Sequence, residues 1–232
     1  MCAQTQQELE PRHSDRYLRS IPMSDTVNAL LPLSFLEAVR DVDSPVEDFE
    51  AELVGDLRNK RLGLSDTVYM QIKRFTDAVK RGQHTGHDEA VGLAKLLGRR
   101  PDAEAVFRAA GRHMAAEAYG AIGGVSRRMM LVLPSILARP IALGHTRRMA
   151  QRYLNASISR VGSNVYLEVH RSVTLDTAPR SIGCTYYEAS LKEVLRLLVN
   201  SVGAVEHVRC ATRGEGTCSW RAEWKPISSS RE

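Results

Sequence analysis

The last quarter of the chain constrains the fold most. Glu206-His207-Val208-Arg209-Cys210 is followed by Arg213-Gly214-Glu215-Gly216 and then by Cys218-Ser219-Trp220. Two short runs of strand type around a Gly-rich turn predict an antiparallel hairpin with a loop of about three or four residues. Centred on Gly214, that hairpin sets Cys210 opposite Cys218, and opposed residues have Cα atoms about 4.5–5.5 Å apart. Three of the chain's four cysteines fall in this quarter, Cys184 being the third. Thiols so placed, with a histidine near them, are candidate metal ligands. Two other readings fit the same spacing: buried small apolar side chains, or a Cys210–Cys218 disulfide.

The hydrophobic period divides the chain in two. From about residue 33 to 155 it is helical. Ser44-Pro45-Val46-Glu47 is a capping box, with Val46, Phe49, Leu53 and Leu57 at helical spacing behind it. Ser65-Asp66 opens a helix with Val68, Ile72, Phe75 and Val79 on one face, and 82–86 reads as a polar loop. Further helices are expected over 87–97, over 101–119, over 129–137 with a kink or split at Pro134, and over 140–154. Gly111 is unusual inside a helix, where it costs about 1 kcal/mol relative to alanine, so it points to close packing or the approach of a ligand. After residue 156 the period is that of strands. Runs at 157–161 and 165–173 flank Gly162-Ser163-Asn164, a helix over 186–202 ends at Gly203, and strands follow at 204–212 and 217–224. The expected fold is α+β: one domain over 26–226, an N-terminal helical half packed on a C-terminal antiparallel sheet with one long helix. Loose tails are expected at 1–25 and 227–232, with Met23 an alternative start.

The chain has 232 residues, a net charge of +5 and a pI near 9.2. Its arginines are dispersed in pairs such as Arg99-Arg100 and Arg127-Arg128 and form no basic block, so nucleic acid is not an expected partner. There is no apolar run long enough for a membrane span and no signal-peptide core, so a cytoplasmic setting is expected, where free thiols persist. Phosphate loops, nucleophile elbows and His-Glu-x-x-His motifs do not occur, so no catalytic residue is assigned. Asp41, Asp43, Glu47, Asp48, Glu50 and Glu52 read as a solvated helix face.

The order strand, strand, cysteine, helix, glycine, strand, cysteine, Gly-Glu turn, cysteine, aromatic resembles the C-terminal signature of 4-vinyl reductase-type domains. The match covers about residues 150–226, on Cys184, Cys210, Gly214-Glu215, Cys218 and Trp220. That family is related in fold to haem-nitric-oxide-binding sensors and to TRAPP subunits. Its members sense aromatics or serve bacteriochlorophyll synthesis. The resemblance implies a structural zinc on Cys184, Cys210 and Cys218, with a carboxylate three residues before Cys210. Here His207 holds that position, and three thiolates with one imidazole are a common zinc set. Glu206 is the fallback, because in a regular strand Glu206 and Cys210 share a face whereas His207 needs a bulge to do so. A haem is disfavoured, since the Tyr-x-Ser-x-Arg signature of the nitric-oxide sensors is missing and Tyr186-Tyr187-Glu188-Ala189-Ser190 does not supply it. A proximal histidine for it could be sought in His113, which lies on an expected helix.

The resemblance therefore implies a cytoplasmic domain that binds a small apolar, aromatic or tetrapyrrole-like ligand and signals through a homodimer or a protein partner. A tetrapyrrole-biosynthesis enzyme or carrier, and a TRAPP-like scaffold without free ligand, are the alternatives. Candidate pocket residues are Met114, Tyr119, Met129, Met130, Leu133, Leu137, Tyr153 and Tyr166, placed between helices and sheet.

Overall fold

Residues 30–38 are so apolar that a helix formed from them has no face to give to water. In the structure, a computed structural model that describes residues 25–43, 65–132, 135–201 and 203–224, they lie in helix α1 (Leu30–Val42), and every residue from Leu30 to Ala38 is buried. Asn28 begins the helix by accepting the Leu30 N–H on its side-chain oxygen at 2.9 Å, satisfying one of the first-turn donors that the helix itself cannot. Just ahead, β1 (Thr26–Asn28) pairs antiparallel with β2 (His84–Gly86). This corrects the reading of 82–86 as a loop: strands of three residues are too short to show alternation, and this pair forms where tertiary packing brings its halves together. The capping box at Ser44 and the helix expected behind it lie outside the described residues, as do both tails apart from Asp25.

Helix α2 (Ser65–Lys80) sets Phe75 in the core, with Val68, Ile72 and Val79 packed against it, as the spacing predicts. Helices α3 (His87–Gly98) and α4 (Ala103–Gly120) follow. Next come α5 (Gly124–Val132) and α6 (Ser135–Tyr153); Pro134, where a kink or split is expected, lies outside the described residues. The second piece starts earlier than expected and contains Pro140. Helix α7 (Thr185–Val199) ends on Asn200, whose φ of 53° is left-handed, and not on Gly203. Asparagine visits that conformation more readily than other non-glycine residues, because its short polar side chain bonds locally.

The sheet contains β3 (Ala156–Val161), β4 (Asn164–Val169), β5 (Val205–Arg209) and β6 (Cys218–Glu223), all antiparallel in the order β3-β4-β6-β5. Val165, Leu167 and Val169 of β4 and Trp220 and Ala222 of β6 are buried on one face. α7 touches β5 and β6 from the helical side and α6 touches β3, while α4 packs on α7 and α1 packs on α4. The fold is mixed α and β, helices layered on an antiparallel sheet, as expected.

Gly111 explains how closely two of these layers meet. A Cβ on Gly111 would stand 2.4 Å from the Tyr186 carbonyl oxygen and 2.9 Å from the Ser190 nitrogen. The obstacle is backbone, which no rotamer change removes. Of the two sequence readings of Gly111, close packing is therefore the one the structure supports. Two alanine substitutions should move stability in opposite directions. Gly92→Ala in α3 meets nothing within 4 Å and should stabilise by up to about 1 kcal/mol through helix propensity. Gly111→Ala gains the same propensity but forces α4 from α7, and should destabilise by a net 1–2 kcal/mol or so in urea unfolding.

Candidate metal centre

Three chain segments deliver four side chains to one point. Cys184 ends the 3-10 segment Pro179–Cys184 and precedes α7, His207 lies in β5, Cys210 follows β5, and Cys218 opens β6. Their ligand atoms all lie within 4.8 Å of one another. A tetrahedral zinc with Zn–S bonds of about 2.3 Å spaces its ligand atoms by roughly 3.8 Å, so a small inward movement completes the geometry. The three cysteines are buried and free, so Cys210 and Cys218 do not form the alternative disulfide.

A bulge brings His207 to this point. His207 pairs with Trp220, but Arg209 pairs with Ser219, so Val208 is the extra residue. Beyond the bulge the alternation is reset. Arg209 turns to the outer face, where its guanidinium reaches Ser219 Oγ at 3.3 Å and Glu168 Oε1 at 3.2 Å. Cys210 then shares the inner face with His207. Glu206, the fallback ligand, is ion-paired with Arg221 on the outer face and has no place in the cluster.

The surroundings fit a cation. His207 Nε2 is buried and has no hydrogen-bond partner, a costly state for a ring nitrogen unless something binds it. The imidazole is stacked on Trp220, with 4.6 Å between centroids and 8° between planes, which fixes its orientation. Hydrogen bonding from Cys184 pulls the Cys218 thiol well below its ordinary value, helped by the Ala211 N–H, which donates to Cys218 Sγ at 3.3 Å. The Cys184 thiol is pushed up by donating to Cys218 and by burial. One sulfur of this buried group is thus favoured as a thiolate, the form that ligates metals.

An outer ring of groups was not legible in the sequence. Thr212 Oγ1 lies 2.9 Å from Cys210 Sγ, and Ser181 Oγ lies 2.8 Å from Thr212 Oγ1 and 3.6 Å from that sulfur. Glu215 Oε2 accepts the Cys210 N–H at 2.6 Å. Gly214, with φ of 78°, and Gly216, with φ of 81°, make the turn that allows this. Such groups orient ligands in metal sites, but hydroxyl residues in loops carry no pattern that marks them in a sequence.

The candidate pocket residues among the described ones are not brought together. Met114 is buried and lines an apolar void of about 10 Å³ with Met149, Leu154, Leu167 and Leu191, room for one water at most. Tyr153 is at the edge of the core and Met130 packs partly against it. Tyr119 lies under the Arg127 guanidinium, and Met129 is 47% exposed. Tyr166 alternates with buried Val165 and Leu167 and so faces away from the helices. The placement of Tyr119, Met129 and Tyr166 follows from helix and strand periodicity once registers are known, and these three do not line the void. Leu133 and the side chain of Leu137 lie outside the described residues. His113 is half-buried and belongs to no cluster of metal-ligating groups among the described residues.

No protein-family model matches this chain, and no curated protein matches it closely enough to count as a relative. No described helix is long and apolar enough to cross a membrane.

The bulge yields a direct comparison. If zinc fills this site, His207→Ala should weaken its binding by an order of magnitude or more in a chelator competition, whereas Glu206→Ala should leave it unchanged. The opposite ranking would require a regular strand at Val208.

Proposed function

We propose that this chain is a cytoplasmic small-molecule-binding domain whose sheet half is fastened by a structural zinc on Cys184, His207, Cys210 and Cys218. The unpartnered, buried His207 Nε2 among three free buried thiols carries the metal part of this reading. Harder cations prefer oxygen ligands, and a soft sulfur-rich tetrad suits zinc. Four protein ligands fill a tetrahedral shell and leave no position for a reacting water, so the role is structural. The ion would join the N-terminus of α7 to both strands of the β5–β6 hairpin. Reduced thiols accord with a cytoplasmic setting.

The ligand part rests on the resemblance to 4-vinyl reductase-type domains and on the apolar seam between α4, α6, α7 and the sheet. Met114 and Met149 line that seam, and methionine repacks around irregular apolar shapes more easily than branched residues do. With only about 10 Å³ free, an aromatic or tetrapyrrole-like ligand enters by widening the seam. Output then passes through a second copy or a partner protein.

Purified reduced protein should contain close to one zinc per chain. Cys210→Ser should lose it and destabilise the fold, because metal binding is coupled to folding at such sites. Full zinc content in a Cys184, Cys210, Cys218 triple variant would overturn the assignment. For the seam, thermal shift against phenols, porphyrins and fatty acids is the test. A ligand at a hundredfold excess over Kd stabilises by about 2.7 kcal/mol, which a melting curve registers clearly. A dimer that answers to none of them is the scaffold of the alternative reading, and a Soret band in the purified protein would favour the tetrapyrrole one.

A further inference from the structure

The close contact at Gly111 has a second effect, on the outside of the helix pair. Arg108 and Arg112 stand one turn apart on α4, and Lys192 and Arg196 one turn apart on α7. Together with Ala189 and Glu193 these side chains line one groove of about 360 Å³, within the size range of small-molecule sites. Two of the four cations are held in place. Arg108 is bound by Glu104, with its Nε at 3.0 Å, and by Glu188, with its Nη1 at 2.8 Å. Arg196 is bound twice by Glu193, at 2.8 and 2.5 Å. A guanidinium has five N–H donors, so each of these fixed arginines keeps donors to spare. Arg112 and Lys192 are exposed and have no acidic partner among the described residues.

A wider groove, about 660 Å³, runs between 98–104 and 176–182. Its inner arginine, Arg100, is closed by Asp43 at 2.6 Å and Asp102 at 2.8 Å, so it offers a ligand little uncompensated charge. The α4–α7 groove differs in pairing pre-oriented guanidinium groups with two unpaired cations in a ligand-sized space.

We propose that the α4–α7 groove binds a small molecule through a doubly charged oxyanion, a phosphate or a dicarboxylate. Arg112 and Lys192 supply the neutralising charge, and Arg108 and Arg196 supply oriented donors. Charge-assisted hydrogen bonds of this kind are about twice as strong as neutral ones. The site is separate from the apolar seam and from the metal cluster, and it does not depend on either reading.

The test is calorimetric titration of the full chain with inorganic pyrophosphate and with succinate, at matched ionic strength near 0.15 M, repeated with the chain freed of metal by a chelator so that heat from metal removal is not counted as binding. Saturable binding of one probe well ahead of the other identifies the anion class, and binding of either supports the site. Arg112→Gln and Lys192→Gln should each weaken it by about tenfold or more, with the melting temperature unchanged. Arg148→Gln, an exposed arginine outside the groove, should have no effect. Two outcomes overturn the proposal: neither probe binding at this ionic strength, or Arg148→Gln weakening binding as much as the groove variants do.

Discussion

The meeting of α4 and α7 at Gly111 is the contact on which the other arrangements depend. With no side chain at that position, the two backbones touch, and α7 is fixed against the helical layer along its first turns. Those turns carry Tyr186 and Tyr187, both fully buried. Tyr186 meets Phe35 of α1 edge-on at 5.1 Å, and Phe35 meets Phe107 of α4 at 5.8 Å. Tyr187 reaches the other way, to Trp220 of the sheet at 5.2 Å. The Tyr187 hydroxyl also accepts the Val173 N–H at 3.1 Å, which ties down the chain leaving β4. Aromatic pairs in such edge-on or tilted geometry add about 0.5–1.5 kcal/mol each beyond burial. The result is an unbroken line of rings from the helical layer to the sheet.

That line ends on the candidate metal centre. Trp220 stacks on His207, so the imidazole stands where α7 and the sheet have already been set by packing. Cys184 immediately precedes α7, and its position is therefore a consequence of the Gly111 contact as well. The remaining two cysteines belong to the hairpin, whose register is set by the bulge at Val208. A helix contact, a ring stack and a bulge thus converge on one cluster. A cation bound there would fasten together elements that packing already holds close.

Much of this was legible in the sequence because local chemistry dictates it. Phe75 and its helical neighbours fell on the core face, since a period of 3.6 allows no other side. Cys210 and Cys218 were placed together by a turn whose glycines adopt positive φ. The need for a bulge if His207 was to join them also followed from strand geometry alone. What failed did so for physical reasons. The β1–β2 pair is too short to show a period. Asn200 could take the left-handed cap as well as Gly203 could. The Tyr166 position was misjudged because one face of a strand cannot be called inner until its partners are known.

The sequence by itself determined the two periods, the helix and strand halves, the hairpin and the meeting of Cys210 with Cys218 across it, because these depend on neighbours within a few residues. Only the tertiary structure decided that Glu206 faces Arg221 and His207 faces the thiols, that Gly111 serves a helix contact, and that cations from two distant segments share one groove. Those outcomes rest on contacts between residues as far apart as Gly111 and Tyr186. The free energy of such contacts belongs to a pair of surfaces, and no local pattern in the chain records it.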